Sequence, residues 1–140
     1  MVIKPSNFDA TKKYADIQRF VSTRTREGNY LDFKTIHHQD DPDKEIKTTL
    51  AEAASGFAHQ KGGVIVWGIE AKQSSRGDFA QSEQPICKLA GIFEKIKKFS
   101  VDCVEPRLNI EHEIIYLNDG VNTDTGFVVS FFPKSSDIHC

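Results

Sequence analysis

The sequence predicts an α+β fold in which a mixed β-sheet is covered by packed helices. Amphipathic helical patterns alternate along the chain with β-branched and aromatic segments, in the order α-β-α-β-α-β-β. One segment, Val64–Glu70, is apolar on both faces until its last residue, as expected of a strand at the centre of a covered sheet. With 140 residues and 15.8 kDa, the chain has the size of one domain and can bury a core of its own.

The first predicted elements are a helix and a short strand. Apolar residues recur at helical spacing between positions 10 and 21, which predicts a helix over 8–22. The segment Tyr30–Ile36 is β-branched and aromatic, which predicts a strand. Because side chains alternate along a strand, Asp32 and Lys34 are expected on the face opposite to Leu31.

The second helix has the clearest boundaries of the predicted elements. Pro42 suits its first position, an apolar stripe runs from Ile46 to Phe57, and Gly62-Gly63 ends it. The apolar strand Val64–Glu70 follows directly. The polar segment 71–84 is predicted to be a mobile loop, because it is rich in Ser, Gln and Gly.

The remaining third of the chain contributes one helix and two strands. Apolar residues between Ile86 and Ile96 recur at helical spacing, residues 108–114 alternate as in a half-exposed strand, and Phe127–Phe132 form the last strand. We expect residues 1–140 to form a single domain. Since the sequence stops soon after its last strand, we also expect this domain to be the N-terminal part of a longer protein.

Charge and cysteine content narrow the classes of function. Eighteen Lys and Arg against twenty Asp and Glu give a net charge of −2, which argues against a globally basic nucleic-acid binder. Residues 1–36 nevertheless hold seven basic and four acidic residues, a local charge of +3, so a phosphate-binding surface is expected there. No apolar run approaches the roughly 18 residues that span a bilayer, so no membrane association is predicted. Cys87, Cys103 and Cys140 are few and widely spaced, which favours a cytoplasmic protein without disulfides.

Three acids and one lysine are the candidate catalytic residues. Asp32 and Lys34 share a strand face, where the carboxylate could bind a divalent cation and the ammonium could stabilise the charge of a phosphate. The alternative is that the two residues form an ordinary surface salt bridge. Glu70 ends an apolar strand, and open α/β sheets bind ligands at such strand ends. The alternative is that the strand simply reaches solvent at this residue. Glu27 precedes Asp32 by five residues, so the two carboxylates converge only if the chain turns at Gly28-Asn29.

Other motifs give little support for a site. The sequence has no Gly-Lys-Ser/Thr phosphate loop, so it does not support ATP binding. Cys87, Cys103 and His112 lack the close paired spacing of a zinc site. The lysines near position 97 are interpreted as a solvated helix face.

Several of these segments together resemble the AlbA-like Schlafen domain family. The run from Glu27 to Lys34, which reads EGNYLDFK, resembles the Glu…Glu-Phe-Lys signature that opens the domain. The block from Ala54 to Glu70 is similar to the family's Ala-Phe-Ala-Asn…Gly-Gly…Gly-Val-Asp block. Val104-Glu105-Pro106-Arg107 and Phe127–Ser136 resemble its closing strands and tail, so the resemblance extends from about residue 14 to residue 137.

The resemblance implies an α+β domain that binds RNA or DNA, often within a regulatory or defence protein. Some animal Schlafen proteins are metal-dependent endoribonucleases with three carboxylates, and the matching positions here are Glu27, Asp32 and Glu70. Asp32 stands where the family has Glu, and Glu70 stands where it has Asp. We therefore predict nucleic-acid binding, with two alternatives: a Mg²⁺- or Mn²⁺-dependent endoribonuclease that uses these acids and Lys34, and a protein-interaction module that forms homo-oligomers.

Overall fold

Three helices and seven strands make up the described part of the chain. The computed structural model describes residues 13–28, 30–58, 62–102, 109–120 and 123–133. The helices are α1 (Tyr14–Ser22), α2 (Asp43–Ala58) and α3 (Leu89–Asp102). The strands are β1 (Leu31–Lys34), β2 (Gly63–Trp67), β3 (Ile69–Lys72), β4 (Phe79–Glu83), β5 (Ile86–Cys87), β6 (Glu111–Tyr116) and β7 (Thr125–Phe132). The predicted α+β fold class is confirmed.

The main sheet is mixed and has β7 at its centre. Strands β2, β5 and β6 run antiparallel to β7, and β1 runs parallel to β2. Because Val128–Phe131 pair with both β2 and β6, these two strands lie on opposite sides of β7. Strand β5 pairs with the first residues of β7, Thr125 and Gly126. This order leaves β1 at one edge of the sheet.

Helices cover both faces of this sheet. All five residues of β2 are buried, as predicted for a central strand, and their side chains alternate between two apolar clusters. Ile65 and Trp67 pack in the cluster that contains the apolar residues of α2 and α3. Val64 and Val66 pack in the other cluster, with Ile17 of α1. Side chains on one face of β1 therefore lie toward α1, and those on the other face lie toward α2.

The predicted single strand Val64–Glu70 is wrong, because the chain turns at Gly68. This glycine has a φ of 112°, and a Cβ there would lie 2.6 Å from the ring of Phe127. Only a residue without a side chain fits this conformation at low cost. The turn ends β2 and starts β3, which belongs to a second, two-stranded sheet. Glu70 therefore does not lie on a continuation of β2.

The predicted mobile loop 71–84 is also wrong, because this segment forms most of a β-hairpin. Strands β3 and β4 pair antiparallel, with Lys72 opposite Phe79. Ile69 and Ala80 are fully buried in the cluster under α1, which fixes the hairpin to the body of the domain. The hairpin residues are mostly polar because much of the hairpin surface faces solvent, and this polarity hid the strand pattern.

The other elements differ from prediction mainly at their ends. Residues 8–12 of the first predicted helix lie outside the described residues. Helix α3 begins at Leu89, since Ile86 and Cys87 form β5 instead. Strand β6 starts at Glu111, whereas it was predicted from residue 108, which lies outside the described residues. Among the helices described, none has the length and apolarity that a bilayer crossing requires.

Candidate functional site

A cavity of 310 Å³ between β1 and α2 collects three of the four predicted site residues. Leu31 and Phe33 are buried on the α1 side of β1, so Asp32 and Lys34 lie on the opposite face, as predicted, and the structure places α2 over that face. We call this cavity, which Glu27, Asp32 and Lys34 line together with residues of α2, the acidic cavity. The α2 residues that line it are Thr49, Glu52, Ala53, Gly56 and Phe57.

The turn predicted at Gly28-Asn29 includes Asn29, which lies outside the described residues, but the hydrogen bonds on either side of it bring Glu27 to Asp32. The Gly28 N–H donates to the Leu31 carbonyl at 3.1 Å, which reverses the chain before β1. The Phe33 N–H points away from β2, because alternate residues of β1 direct their backbone groups to opposite sides of a strand. The carboxylate of Glu27 accepts this N–H at 2.7 Å. Glu27 therefore lies across the open edge of β1, beside Asp32.

The carboxyl groups of Glu27 and Asp32 differ in their surroundings and in the groups that they contact. Burial raises the pKa of Glu27 to about 8, and a hydrogen bond to Asp32 and the negative charge of Asp32 act in the same direction. The Phe33 N–H and the Lys34 ammonium lower this pKa without cancelling the rise. Asp32 Oδ2 lies 3.4 Å from Lys34 Nζ. At neutral pH the arrangement is a protonated Glu27 next to a lysine-paired Asp32.

Glu70 does not line the acidic cavity. It lies on β3, where it pairs with Ser82 of β4, because the turn at Gly68 has moved the chain into the second sheet. The described residues include Glu27, Asp32 and Glu70, and within them no three His, Cys, Asp or Glu side chains are placed to hold one metal ion. The structure thus brings two of the three predicted carboxylates together with Lys34 in the acidic cavity, and Glu70 is not among the residues that line it.

A second cavity, of 390 Å³, is lined by three arginines that the sequence did not single out. Arg24 and Arg26 follow α1, and Arg76 lies at the tip of the β3–β4 hairpin. We call this site, which Phe79 also lines, the arginine cavity. The first two arginines belong to the N-terminal segment whose charge predicted a phosphate-binding surface. Arg76 was missed because it was placed in a loop.

The three arginines belong to the described basic side chains that have no ion-pair partner, as do Lys47 and Lys72. None of the ion pairs between described residues involves them. By contrast, Arg19 pairs with Asp16 at 2.6 Å, and Lys95 of α3 pairs with Asp43 of α2 at 2.6 Å. Within the described residues, no carboxylate therefore lies within ion-pair distance of the arginines that line this cavity.

A third polar group, in which the half-buried His112 joins the buried Ser100 and Ser130, has a structural role. Trp67 Nε1–H donates to Ser130 Oγ at 2.8 Å, and Ser130 Oγ lies 2.7 Å from His112 Nδ1. His112 Nε2 lies 3.0 Å from Ser100 Oγ, which donates to the Lys97 carbonyl at 2.7 Å. A proton on Nε2 alone satisfies every member of this chain of hydrogen bonds, so we assign that tautomer. Burial, and to a lesser extent the charge of Lys97, lowers the pKa of His112 to about 4.

The comparisons with known proteins do not assign a family. The chain matches no protein-family model and no curated protein sequence. The resemblance to AlbA-like Schlafen domains therefore remains a prediction from the sequence.

Proposed function

We propose that this domain binds nucleic acid, RNA or DNA, through the arginine cavity. The observation that carries this proposal is the convergence of Arg24, Arg26 and Arg76 on one cavity without a carboxylate partner among the described residues. Guanidinium groups match phosphate oxygens in geometry and charge, and phosphate contacts supply most of the affinity of nucleic-acid binding. The resemblance to a nucleic-acid-binding family supports the same proposal.

The acidic cavity and the arginine cavity lie on opposite sides of the segment 25–27. Backbone hydrogen bonds hold residues 25–27 against β4: Ala80 N–H donates to the Thr25 carbonyl at 2.9 Å, and Glu27 N–H donates to the Asp78 carbonyl at 2.8 Å. Neighbouring side chains of such a segment point in opposite directions. Glu27 thus enters the acidic cavity while Arg26 lines the arginine cavity, and a phosphate bound there avoids the carboxylates.

A salt titration of oligonucleotide binding tests the proposal. We expect the affinity for single-stranded RNA or DNA to fall as salt rises, with a slope of about 0.7 in log–log form for each phosphate contact. Arg26→Gln should lower the affinity about tenfold and reduce the slope by about one contact. Arg19→Gln is the matched control, because Arg19 lies outside the arginine cavity and pairs with Asp16. Affinity that is independent of salt, or equal losses in both variants, would contradict the proposal.

A second candidate function, metal-dependent RNA cleavage, is favoured by the geometry of the acidic cavity. Mg²⁺ is commonly held by one or two carboxylates together with substrate phosphates, and the Glu27–Asp32 pair suits such an ion once Glu27 has lost its proton. The ion would polarise the scissile phosphate. Asp32 and Glu27 would hold it, and Lys34 would stabilise negative charge on the phosphate oxygens. This version uses two carboxylates, because Glu70 does not line the cavity.

Cleavage of a structured RNA in the presence of Mn²⁺ tests this candidate. We expect EDTA and Asp32→Asn each to abolish cleavage, because both remove the metal or one of its ligands. Glu70→Gln decides between two carboxylates and three: retained cleavage supports the pair seen in the acidic cavity, and lost cleavage supports the trio. Cleavage that survives both EDTA and Asp32→Asn would refute a metal-dependent mechanism.

A further inference from the structure

The arginine cavity is concave and is built from two elements that are distant in sequence. One wall is the segment that leaves α1, and it carries Arg24 and Arg26. The other wall is the tip of the β3–β4 hairpin, which carries Arg76 and the hydroxyl of Ser75. A volume of 390 Å³ is near the lower end of the range of small-ligand cavities, so the site has room for one phosphate group and part of its nucleoside.

Local hydrogen bonds fix both walls of the cavity. At the hairpin tip, Gly77 N–H donates to the Ser74 carbonyl at 3.1 Å, and Arg76 N–H donates to Ser74 Oγ at 3.3 Å. At the end of α1, Arg24 N–H donates to the Val21 carbonyl at 3.1 Å. The guanidinium of Arg24 lies 5.8 Å from the centre of the Phe79 ring, a cation–π distance. The backbone that carries these arginines is therefore held in place before a ligand binds.

The three arginines that line the cavity carry more positive charge than one phosphodiester needs. A phosphodiester within a strand carries one negative charge, whereas a terminal phosphomonoester carries close to two at neutral pH and has three free oxygens. A chain end can also enter a concave site, which the ridge of phosphates along a duplex cannot do. Because Arg24, Arg26 and Arg76 have no carboxylate partners among the described residues, this charge is available to a ligand.

We propose that the arginine cavity binds the terminal phosphate group of a nucleic-acid strand. This inference rests on the proposed function and specifies it: the domain recognises a strand end. The phosphate oxygens bind the guanidinium groups of Arg24, Arg26 and Arg76, and the adjoining nucleoside lies toward the mouth of the cavity. Both the 5′ and the 3′ phosphate present the same chemical group, so the test includes both ends.

The test compares single-stranded RNA and DNA oligonucleotides of one sequence that carry a 5′-phosphate, a 3′-phosphate or hydroxyls at both ends. Fluorescence anisotropy at constant salt measures their affinities, and inorganic phosphate and a nucleoside monophosphate serve as competitors. We expect one phosphorylated end to bind at least about tenfold more tightly than the hydroxyl end. Arg76→Gln should remove this preference. Lys72→Gln is the matched control, because Lys72 is an exposed cation of the same hairpin outside the cavity.

Each outcome bears on one of the two proposals. Equal, salt-dependent binding of all oligonucleotides overturns terminal-phosphate recognition and leaves the proposed function intact. Absence of binding by every oligonucleotide overturns both. A phosphate preference that persists in Arg76→Gln overturns the assignment to this cavity. Circular dichroism and the melting temperature serve as the folding control for Arg76→Gln. Because Arg76 is exposed at the hairpin tip, we expect both to match the wild type, so that any loss of binding can be assigned to the cavity.

Discussion

Replacing His112 with glutamine is expected to remove the loss of stability that protonation of this residue causes between pH 7 and pH 5. In the wild type, burial lowers the pKa of His112 from 6.5 to about 4. The unfolded chain therefore takes up a proton below about pH 6.5, which the folded protein does not accept until about pH 4. The contribution of the neutral His112 to the free energy of unfolding is complete above about pH 6.5, the pKa in the unfolded chain. It declines as the pH falls toward about 4, the pKa in the folded protein.

The size of the effect follows from these two pKa values. At pH 5 the unfolded chain gains about 2 kcal/mol from protonation of His112 relative to pH 7, and the folded protein gains almost nothing. Protonation would also place a second N–H on the ring, facing Ser130 Oγ, whose own proton now serves His112 Nδ1. Ser130 Oγ could accept both N–H groups, but its own proton would lose His112 Nδ1 as its acceptor.

Urea denaturation at the two pH values measures this effect. Trp67 is the only tryptophan and is 1% exposed, so its fluorescence reports unfolding of the core. The wild type should lose about 2 kcal/mol more than His112→Gln on going from pH 7 to pH 5. His37→Gln is the matched control, because His37 is exposed, and it should behave as the wild type. Equal pH dependence in the wild type and His112→Gln would refute the assignment of a buried neutral histidine.

Three further substitutions test the packing and the acidic cavity. Gly126→Ala should destabilise the domain by about 2–3 kcal/mol, because its Cβ would lie 2.3 Å from the Ile115 carbonyl oxygen, a backbone atom that cannot move aside. Gly91→Ala in α3 meets nothing within 4 Å and should stabilise the domain by about 0.5–1 kcal/mol, as measured in the same urea assay. Since the pKa of Glu27 is raised to about 8, the stability of the wild type relative to Glu27→Gln should fall as the pH rises from about 4.5 to about 8. A wild-type stability that instead rises over this interval, relative to the variant, would contradict the protonated state of Glu27.

Much of the fold could be predicted because its burial pattern is local. The apolar stripe of α2 and the two-faced apolarity of β2 identify these elements without knowledge of their neighbours. The β3–β4 hairpin could not be found in this way, because its polar residues hide the alternation and its core contacts come from only a few side chains, such as Ile69 and Ala80. The break at Gly68 was missed because a single glycine inside an apolar run is compatible with a continuous strand.

The candidate site was predictable where it depends on one strand and unpredictable where it depends on tertiary contacts. Alternation alone placed Asp32 and Lys34 on one face, and the glycine before β1 indicated how Glu27 could join them. The displacement of Glu70 followed from the turn at Gly68 and could not be read from the acid itself. Arg76 joins Arg24 only because the hairpin folds back against the segment after α1, a contact between residues about fifty positions apart.

The position of Glu27 across β1 has a consequence for self-association. An exposed edge strand offers unpaired backbone groups to which a strand of another molecule can add, and this is a common start of aggregation. Here the Leu31 carbonyl already accepts the Gly28 N–H, and the Phe33 N–H is already bound by Glu27. An incoming strand would have to displace this carboxyl group and compete with the turn before it. One side chain therefore both lines the acidic cavity and blocks intermolecular growth of the sheet at β1.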